Sequence, residues 1–365
     1  MPFGPLKKVG RNRLFFFVNF EFDPSKSNSV QQLTMPTMAQ VGGDFSGVKN
    51  NAGLAVVVKN PLTGNPFPSN QVPPTSINAI GAGLLKLLAT NGTPNITGQN
   101  SYNFQRVLPT QRRPVWQDIY KFDWNITTNN RLSVHYLRYH NNYTSLAGGN
   151  LSWSNYPSPD GESSWAFNYV SILSPTTTNE LTAGEGKNFL PQGLPESASP
   201  FYRANWPGWG SAPVLYPDAD PYKLISAFNF GSSGISNAPS WAANNSALPY
   251  VNEQPIRNFS DNLTKVAGGH TIKAGFFMEL ATKNQSSTGN QFGTYNFQVD
   301  SANPGDTGWA FANALLGNYD IFTQQKRFIV SHYKYRNYEW YVQDSWKVRP
   351  NLTVNAGLRM ALLPP

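Results

Sequence analysis

The chain contains no cysteine in 365 residues. Disulfides, thiolate catalysis and Cys-ligated zinc or iron–sulfur sites are therefore excluded. Charge is scarce too: 13% of residues are charged, about half the usual ~25%. Hydrophobic residues reach only 39%, below the ~45–50% of soluble domains. No run of about 18 apolar residues exists, so no transmembrane helix is predicted. Met1-Pro2-Phe3-Gly4 lacks the charged start and apolar stretch of a signal peptide. Low charge with low hydrophobicity suits a porin-like wall, apolar on one face and polar but uncharged on the other.

Aromatics are plentiful at 14%, with Gly 30 and Pro 29, a composition of strands and turns rather than helices. The formal net charge is +8. Lys and Arg are mostly scattered singly, with Lys7–Lys8, Arg112–Arg113 and Lys326–Arg327 the adjacent pairs. A solvated basic surface is the favoured reading, and no nucleic-acid partner is expected.

Tyr338 to Arg359 reads as a hairpin. Tyr338, Trp340, Val342 and Trp346 share one face, while Glu339, Gln343, Ser345 and Lys347 take the other. Pro350 and Asn351 supply the turn. In the return arm Leu352, Val354, Ala356 and Leu358 oppose Asn351, Thr353, Asn355 and Arg359. The apolar set is expected to face lipid and the polar set a lumen. Asp118–His140, turned at Thr127–Asn130, repeats the pattern. So do Trp165–Leu173 with Asn179–Phe189, turned at Ser174–Thr176, and Phe259–Val266 with Thr271–Leu280, turned at Gly268–Gly269. Arg13–Phe22 is a further strand, and another of weaker alternation is expected around Ile321–His332.

Turns within hairpins are short and connections between them long. The long ones cover 23–115, 141–164, 190–258 and the stretch after Ala281. Strict short–long alternation is the organisation of outer-membrane barrels, with long outer loops. Within 23–115, a helix is expected over 75–90, its stripe formed by Ile77, Ile80, Leu84, Leu87 and Leu88, with Thr75 or Ser76 as cap.

No catalytic motif appears: neither G-x-S-x-G, H-E-x-x-H nor a phosphate-cradling Gly loop. Paired carboxylates for sugar hydrolysis are not readable from sequence. His135 and His140 have opposite parity on one strand, so they form no clamp. Asp218 and Asp220 lack the other oxygen ligands of a calcium loop. Asn125 and Asn262 stand in Asn-x-Ser/Thr sites that this composition produces by chance. No metal, cofactor or catalytic residue is expected. The segment Phe201–Tyr222 is dense in rings, and Tyr202, Trp206, Trp209, Tyr216 and Tyr222 are the candidate substrate contacts. They would stack on a sugar or other planar cargo, although self-packing of a long loop is the favoured reading of the same rings.

LFFFVNFEF, GGDFSG at Gly42–Gly47 and NPLTGNPFPSNQVPPTSINAIGAGLLKLL at Asn60–Leu88 carry a family likeness. It continues through YKFDWNITTNNRLSVHYLRYH, SPTTTNELTAG, FSDNLTKVAGGHTIKAGFF, AFANALLGN and YVQDSWKVRPNLTVNAGLR. Over nearly its whole length, in order, the chain resembles the Oar-like branch of TonB-dependent outer-membrane transporters, abundant in acidobacteria. The resemblance implies an all-β antiparallel transmembrane barrel of roughly 22 strands, of which about ten would lie here, with long extracellular loops carrying a short helix. It implies residues 1–12 as a plug–barrel junction, with signal peptide, TonB box, plug and C-terminal barrel outside this sequence, which would then be a fragment. It implies import of a large or scarce solute, carbohydrate or peptide, with outer-membrane lipid and the TonB complex as partners, the latter through the absent N-terminal region. A structural or adhesion barrel, and a secreted all-β carbohydrate-binding or hydrolase domain, are the rivals.

Overall fold

The computed structural model describes residues 13–194, 197, 201–231, 234–241, 249–286 and 289–364. The expected junction at 1–12 lies outside the described residues. Nine long strands dominate. They are β1 (Leu14–Ser27), β2 (Gln111–Asn125), β3 (Asn130–Asn141), β4 (Asp160–Ser174), β5 (Thr177–Phe189), β6 (Asn252–Ala267), β7 (His270–Ser286), β8 (Val330–Arg349) and β9 (Leu352–Leu362). Each pairs antiparallel with the next in chain order, giving one nine-stranded sheet with β1 and β9 at its edges. The expectation was about ten. Residues near Ile321 form no barrel strand: Ile321–Thr323 joins a small separate sheet, and β8 begins at Val330.

The period-two alternation places one side-chain set on each face. The outward face carries Phe16, Phe122, Val134, Phe167, Phe276 and Trp340. The inward face is mostly polar and bonded across strands. Ser133 Oγ donates to Asp123 Oδ1 (2.6 Å), Tyr341 OH to Asn262 Oδ1 (2.9 Å), and Asn337 Nδ2 to Glu279 Oε1 (2.9 Å). Arg359 pairs with Glu339 on the same side. β1 departs from the rule, with Phe15 and Phe17 adding apolar surface inside. His135 faces inward beside Ser133, while His140 faces outward, stacked on Trp116 at 5.2 Å.

The outward apolar band is oblique to the strands. Trp124 on β2 is carried, partner by partner, to Trp340 on β8 over six strand steps. Yet the tryptophan near the short-turn end of β8 is Trp346, 346 − 340 = 6 residues further down. At ~3.3 Å per residue and ~4.8 Å between strands, that descent is a tilt of about 35°, near the ~35–45° of transmembrane barrels. On β7 the outward apolar run from Ile272 to Leu280 then rises about 22 Å along the axis, close to a ~25 Å hydrophobic band. Polar residues also stand on the outward face, including Asp118 opposite Arg138 and two bonded pairs. Asn179 Nδ2 donates to Asp261 Oδ1 (2.7 Å), and His270 Nδ1 lies 2.6 Å from Asp344 Oδ2 with its ring stacked on Trp346.

None of the buried apolar residues among those described lies in the nine strands. The hydrophobic core sits entirely in the long connections, which fold together into a cap at one end of the sheet. The connections read from sequence as loops are therefore structured. The cap holds two principal helices, α1 (Ala79–Asn91) and α2 (Ala310–Leu316). It also holds a three-stranded sheet of Ala227–Asn229, Thr294–Asn296 and Ile321–Thr323. α1 starts later than expected. Pro74–Ser76 forms a 3-10 turn, and Asn78 is the cap, its Oδ1 accepting the N–H groups of Ile80 and Gly81 at 2.9 and 3.0 Å. Leu84, Leu85, Leu87 and Leu88 are fully buried.

α1 crosses α2 at unusually short range. A Cβ on Gly81 would stand 1.9 Å from Ala314 O, and one on Gly83 would stand 2.8 Å from the carbonyl carbon of Gly208. Arg106 ties the first loop to the second. Its Nε donates to Gln31 Oε1 (2.7 Å), while its guanidinium also donates to Leu151 O.

Candidate functional site

The cap contains a cavity of about 160 Å³ where α1, α2 and the segment 207–213 meet. Ile80, Trp209, Tyr295, Phe297, Ala314 and Tyr319 form most of its wall. A volume near 150 Å³ with an apolar lining accommodates one six-membered ring. The four aromatics make a connected set. Trp209 meets Tyr295 edge-on at 5.4 Å, Tyr295 stacks on Phe297 at 6.1 Å, and Tyr319 meets Tyr295 at 5.2 Å.

Each ring is held by a specific local device. Pro207 opens a short helical turn, Pro207–Gly210, that swings Trp209 inward, and the indole Nε1 donates to Ser226 O (3.3 Å). Tyr295 and Phe297 flank Asn296 at a strand end, so alternation points both rings to the same side. The Tyr295 hydroxyl donates to Pro213 O. Burial, with Tyr319 nearby, pushes the Tyr295 phenol up to about 12.

Below this wall, Arg203 joins the strands of the 201–226 loop. Its Nε donates to Leu224 O (2.9 Å), and its guanidinium lies 3.6 Å from Asp220, whose carboxyl is raised above the ordinary range by burial. Asp220 thus has a structural partner, and no group of three or more His, Asp or Glu among the described residues could hold a metal. A second, polar cleft of about 500 Å³ lies between the 34–49 and 99–103 segments, with Asp44, Lys49, Asn100 and Trp309 on its walls. The Ser46 N–H, donating at 2.9 Å, holds the Asp44 carboxyl below the usual carboxylate range.

Of the five ring residues singled out by sequence, Trp209 lines the cavity and is itself buried in the cap core. Trp206 lies beside it, with Nε1 donating to Gly83 O (3.2 Å). Tyr202 and Tyr222 are partly buried against the core. Tyr216 is exposed, its backbone bridged to the Gln324 side chain. The structure does not bring those four to the cavity. Tyr295, Phe297 and Tyr319 were not singled out from the sequence. The alternation of Tyr295-Asn296-Phe297 was their one local signal.

Residues 4–365 match the family described as "Outer membrane beta barrel domain". Among solved structures, one titled "Copper transporter OprC" is similar at 10% identity and a TM-score of 0.32, over 69% of this chain and 28% of that one. The chain therefore spans little more than a quarter of that protein's length, and a likeness this slight does not bear on its activity. No curated protein sequence matches. The family places the nine strands in the outer membrane, with their apolar face toward lipid.

Proposed function

The chain belongs to the outer membrane beta barrel domain family, and from that premise we propose that it forms part of the barrel of a TonB-dependent importer of the Oar-like branch. Its long-loop end faces the cell exterior, as in other barrels of this membrane. The cap captures a large or scarce solute there, and the TonB complex drives uptake through a region N-terminal to the strands. The chain moves solute and carries out no covalent chemistry.

The observation that supports capture is the confinement of the whole apolar core to the long loops. A pore with loose loops needs no such core. A folded cap holds rings and amides at fixed spacing, as a binding surface requires. The aromatic cavity suits one planar or apolar ring of a carbohydrate derivative or peptide. The neighbouring polar cleft suits hydroxyl and amide groups.

The test begins with a thermal-shift screen of peptides and aryl glycosides on the full-length protein in detergent. Uptake of a hit is then measured in cells with and without a protonophore, and with and without TonB. Uptake that needs both the proton gradient and TonB is the expected result. Binding at the cell surface with no uptake would replace the transporter by an adhesion barrel. Uptake indifferent to both would make it a passive pore.

A further inference from the structure

The cavity between α1 and α2 has an apolar floor and a polar mouth. Trp209, Tyr295, Phe297 and Ala314 line it and are almost fully buried. Asn78, Pro213 and Tyr319 line it and are exposed. Four side chains of this wall carry polar atoms. Two are engaged within the protein: the Trp209 indole donates to Ser226 O (3.3 Å), and the Tyr295 hydroxyl donates to Pro213 O. The other two stand at the mouth. Among the described residues, neither the Tyr319 hydroxyl nor the Asn78 Nδ2 group has a hydrogen-bond partner.

Asn78 is tied to both helices. Its Oδ1 accepts the N–H groups of Ile80 and Gly81 in α1, which fixes the other end of the amide as the free donor. Its backbone N–H donates to Leu315 O in α2 (2.9 Å). The amide closes over Gly317, where a Cβ would stand 2.8 Å from both Cγ and Nδ2. Gly317 also has φ +78°, a backbone that favours glycine. A fixed donor thus stands beside a cavity of about 160 Å³, the size that takes one six-membered ring.

These features select among ligands. A pyranose would carry several hydroxyls past the mouth, and the floor offers them no partner, at a cost for each. A bare aryl ring meets other rings instead, continuing the edge-on contact of Trp209 with Tyr295 at 5.4 Å. A tyrosine ring would bring its hydroxyl to the same apolar floor. The donor at the mouth calls for an acceptor a short tether from the ring. An amide carbonyl is a strong acceptor. The oxygen of an aryl glycoside is a weak one, because its lone pair is delocalised into the ring.

We propose that the cavity is a specificity pocket for a phenylalanine side chain of a peptide, with Asn78 Nδ2 donating to a main-chain carbonyl of that peptide. The inference rests on the reading of the cap as a capture surface and names the class of solute captured. The ring fills the floor, and the peptide backbone stays at the mouth, between Asn78 and Tyr319.

The test is calorimetric titration of the full-length protein in detergent with N-acetyl-phenylalanine methylamide. This ligand is expected to bind at least about tenfold tighter than its alanine and tyrosine analogues, phenyl glucoside or methyl glucoside. Asn78→Asp keeps the helix cap and puts an oxygen in place of the donor. It is expected to weaken the phenylalanine ligand at least about fivefold, while toluene, which has no acceptor, binds as before. Lys86→Gln, exposed on α1, is expected to change neither. Thermal melting checks that each variant is folded. If Asn78→Asp does not fold, or loses toluene as well, the ligand series on the unsubstituted protein decides the matter, with toluene displacing the phenylalanine ligand competitively. Equal binding of the alanine analogue, equal or tighter binding of phenyl glucoside, no displacement by toluene, or full affinity in a folded Asn78→Asp would overturn the proposal. Glucoside binding without peptide binding would overturn it and leave the capture reading standing. Peptide binding without uptake by cells would uphold it and remove the transport reading.

Discussion

Val342 and Val354 are both outward-facing valines of the last hairpin, 51% and 46% exposed. An account based on exposure alone treats Val→Arg at the two positions alike. The oblique band does not. Val354 pairs directly with Trp346 and sits at the rim near the short turns. Val342 is 346 − 342 = 4 residues above Trp346 on β8. At ~3.3 Å per residue and ~35° tilt this is about 11 Å along the membrane normal, close to the middle of a ~25 Å band. Arg at the midplane costs ~2–4 kcal/mol and near an interface ~0–1 kcal/mol. Val342→Arg should therefore cost about 2–4 kcal/mol and Val354→Arg less than about 1 kcal/mol. Gln343→Arg, one residue away but facing the lumen, should cost close to nothing. The assay is reversible folding of the full-length protein into lipid vesicles, titrated with guanidinium and followed by tryptophan fluorescence. Equal costs at Val342 and Val354 would refute the tilt, and a Gln343→Arg cost matching Val342→Arg would refute the assignment of faces.

Gly81→Ala, although it improves helix propensity by ~1 kcal/mol, should destabilise the cap by about 1–3 kcal/mol, because its Cβ would meet Ala314 O at 1.9 Å. Thermal melting of the cap, with acrylamide quenching of Trp209 and its neighbours, reads the loss of packing, and unchanged melting would reject the crossing geometry. Tyr295 is 6% exposed and its phenol is raised to about 12, against ~10 when unfolded. The folded cap thus holds a proton that the unfolded chain releases. This contribution is complete below pH ~10 and is lost as pH climbs to about 12, roughly 2–3 kcal/mol in all. Tyr295→Phe should remove that slope from the alkaline limb of a pH–stability curve, and a slope that survives unchanged contradicts the assignment. Since the chain has no cysteine, single thiols report sidedness cleanly. On intact cells an impermeant maleimide should label Leu62→Cys, at a site 93% exposed on the cap, and leave Thr128→Cys, in the β2–β3 turn, untouched. The reverse pattern would invert the protein in the membrane.

The hairpins were legible because their signals are local. Pro350-Asn351 and Gly268-Gly269 fall at turns, and the alternation of β7, from Ile272 to Leu280, needs no knowledge of its partners. Strand ends were less legible. β6 was read as beginning at Phe259, whereas it begins at Asn252. Glu253, Arg257, Asp261 and Lys265 all occupy outward positions on β6, so its apolar alternation is broken repeatedly along the strand. The cap was not legible at all beyond one helix. Its contacts join residues far apart in sequence, such as Gln31 with Leu151 and Trp206 with Gly83, and no short window carries their pattern. The same holds for the cavity. The Trp and Tyr density around Trp209 flagged one wall, but Tyr295, Phe297 and Tyr319 arrive from a separate connection.

The cap core also constrains the order of events during biogenesis. Its pieces are delivered by four connections, each separated from the next by a full passage out of and back into the bilayer. α1 lies in the connection after β1 and α2 in the connection after β7, so the two meet only when β2 to β7 have brought both connections to the same end of the sheet. The cap therefore closes only on a wall that has already inserted most of its staves in register. A single strand slipped by two residues would displace its connection by ~7 Å, several times the clearance that Gly81 leaves at Ala314. Closure of the cap is thus compatible only with a correctly laid sheet.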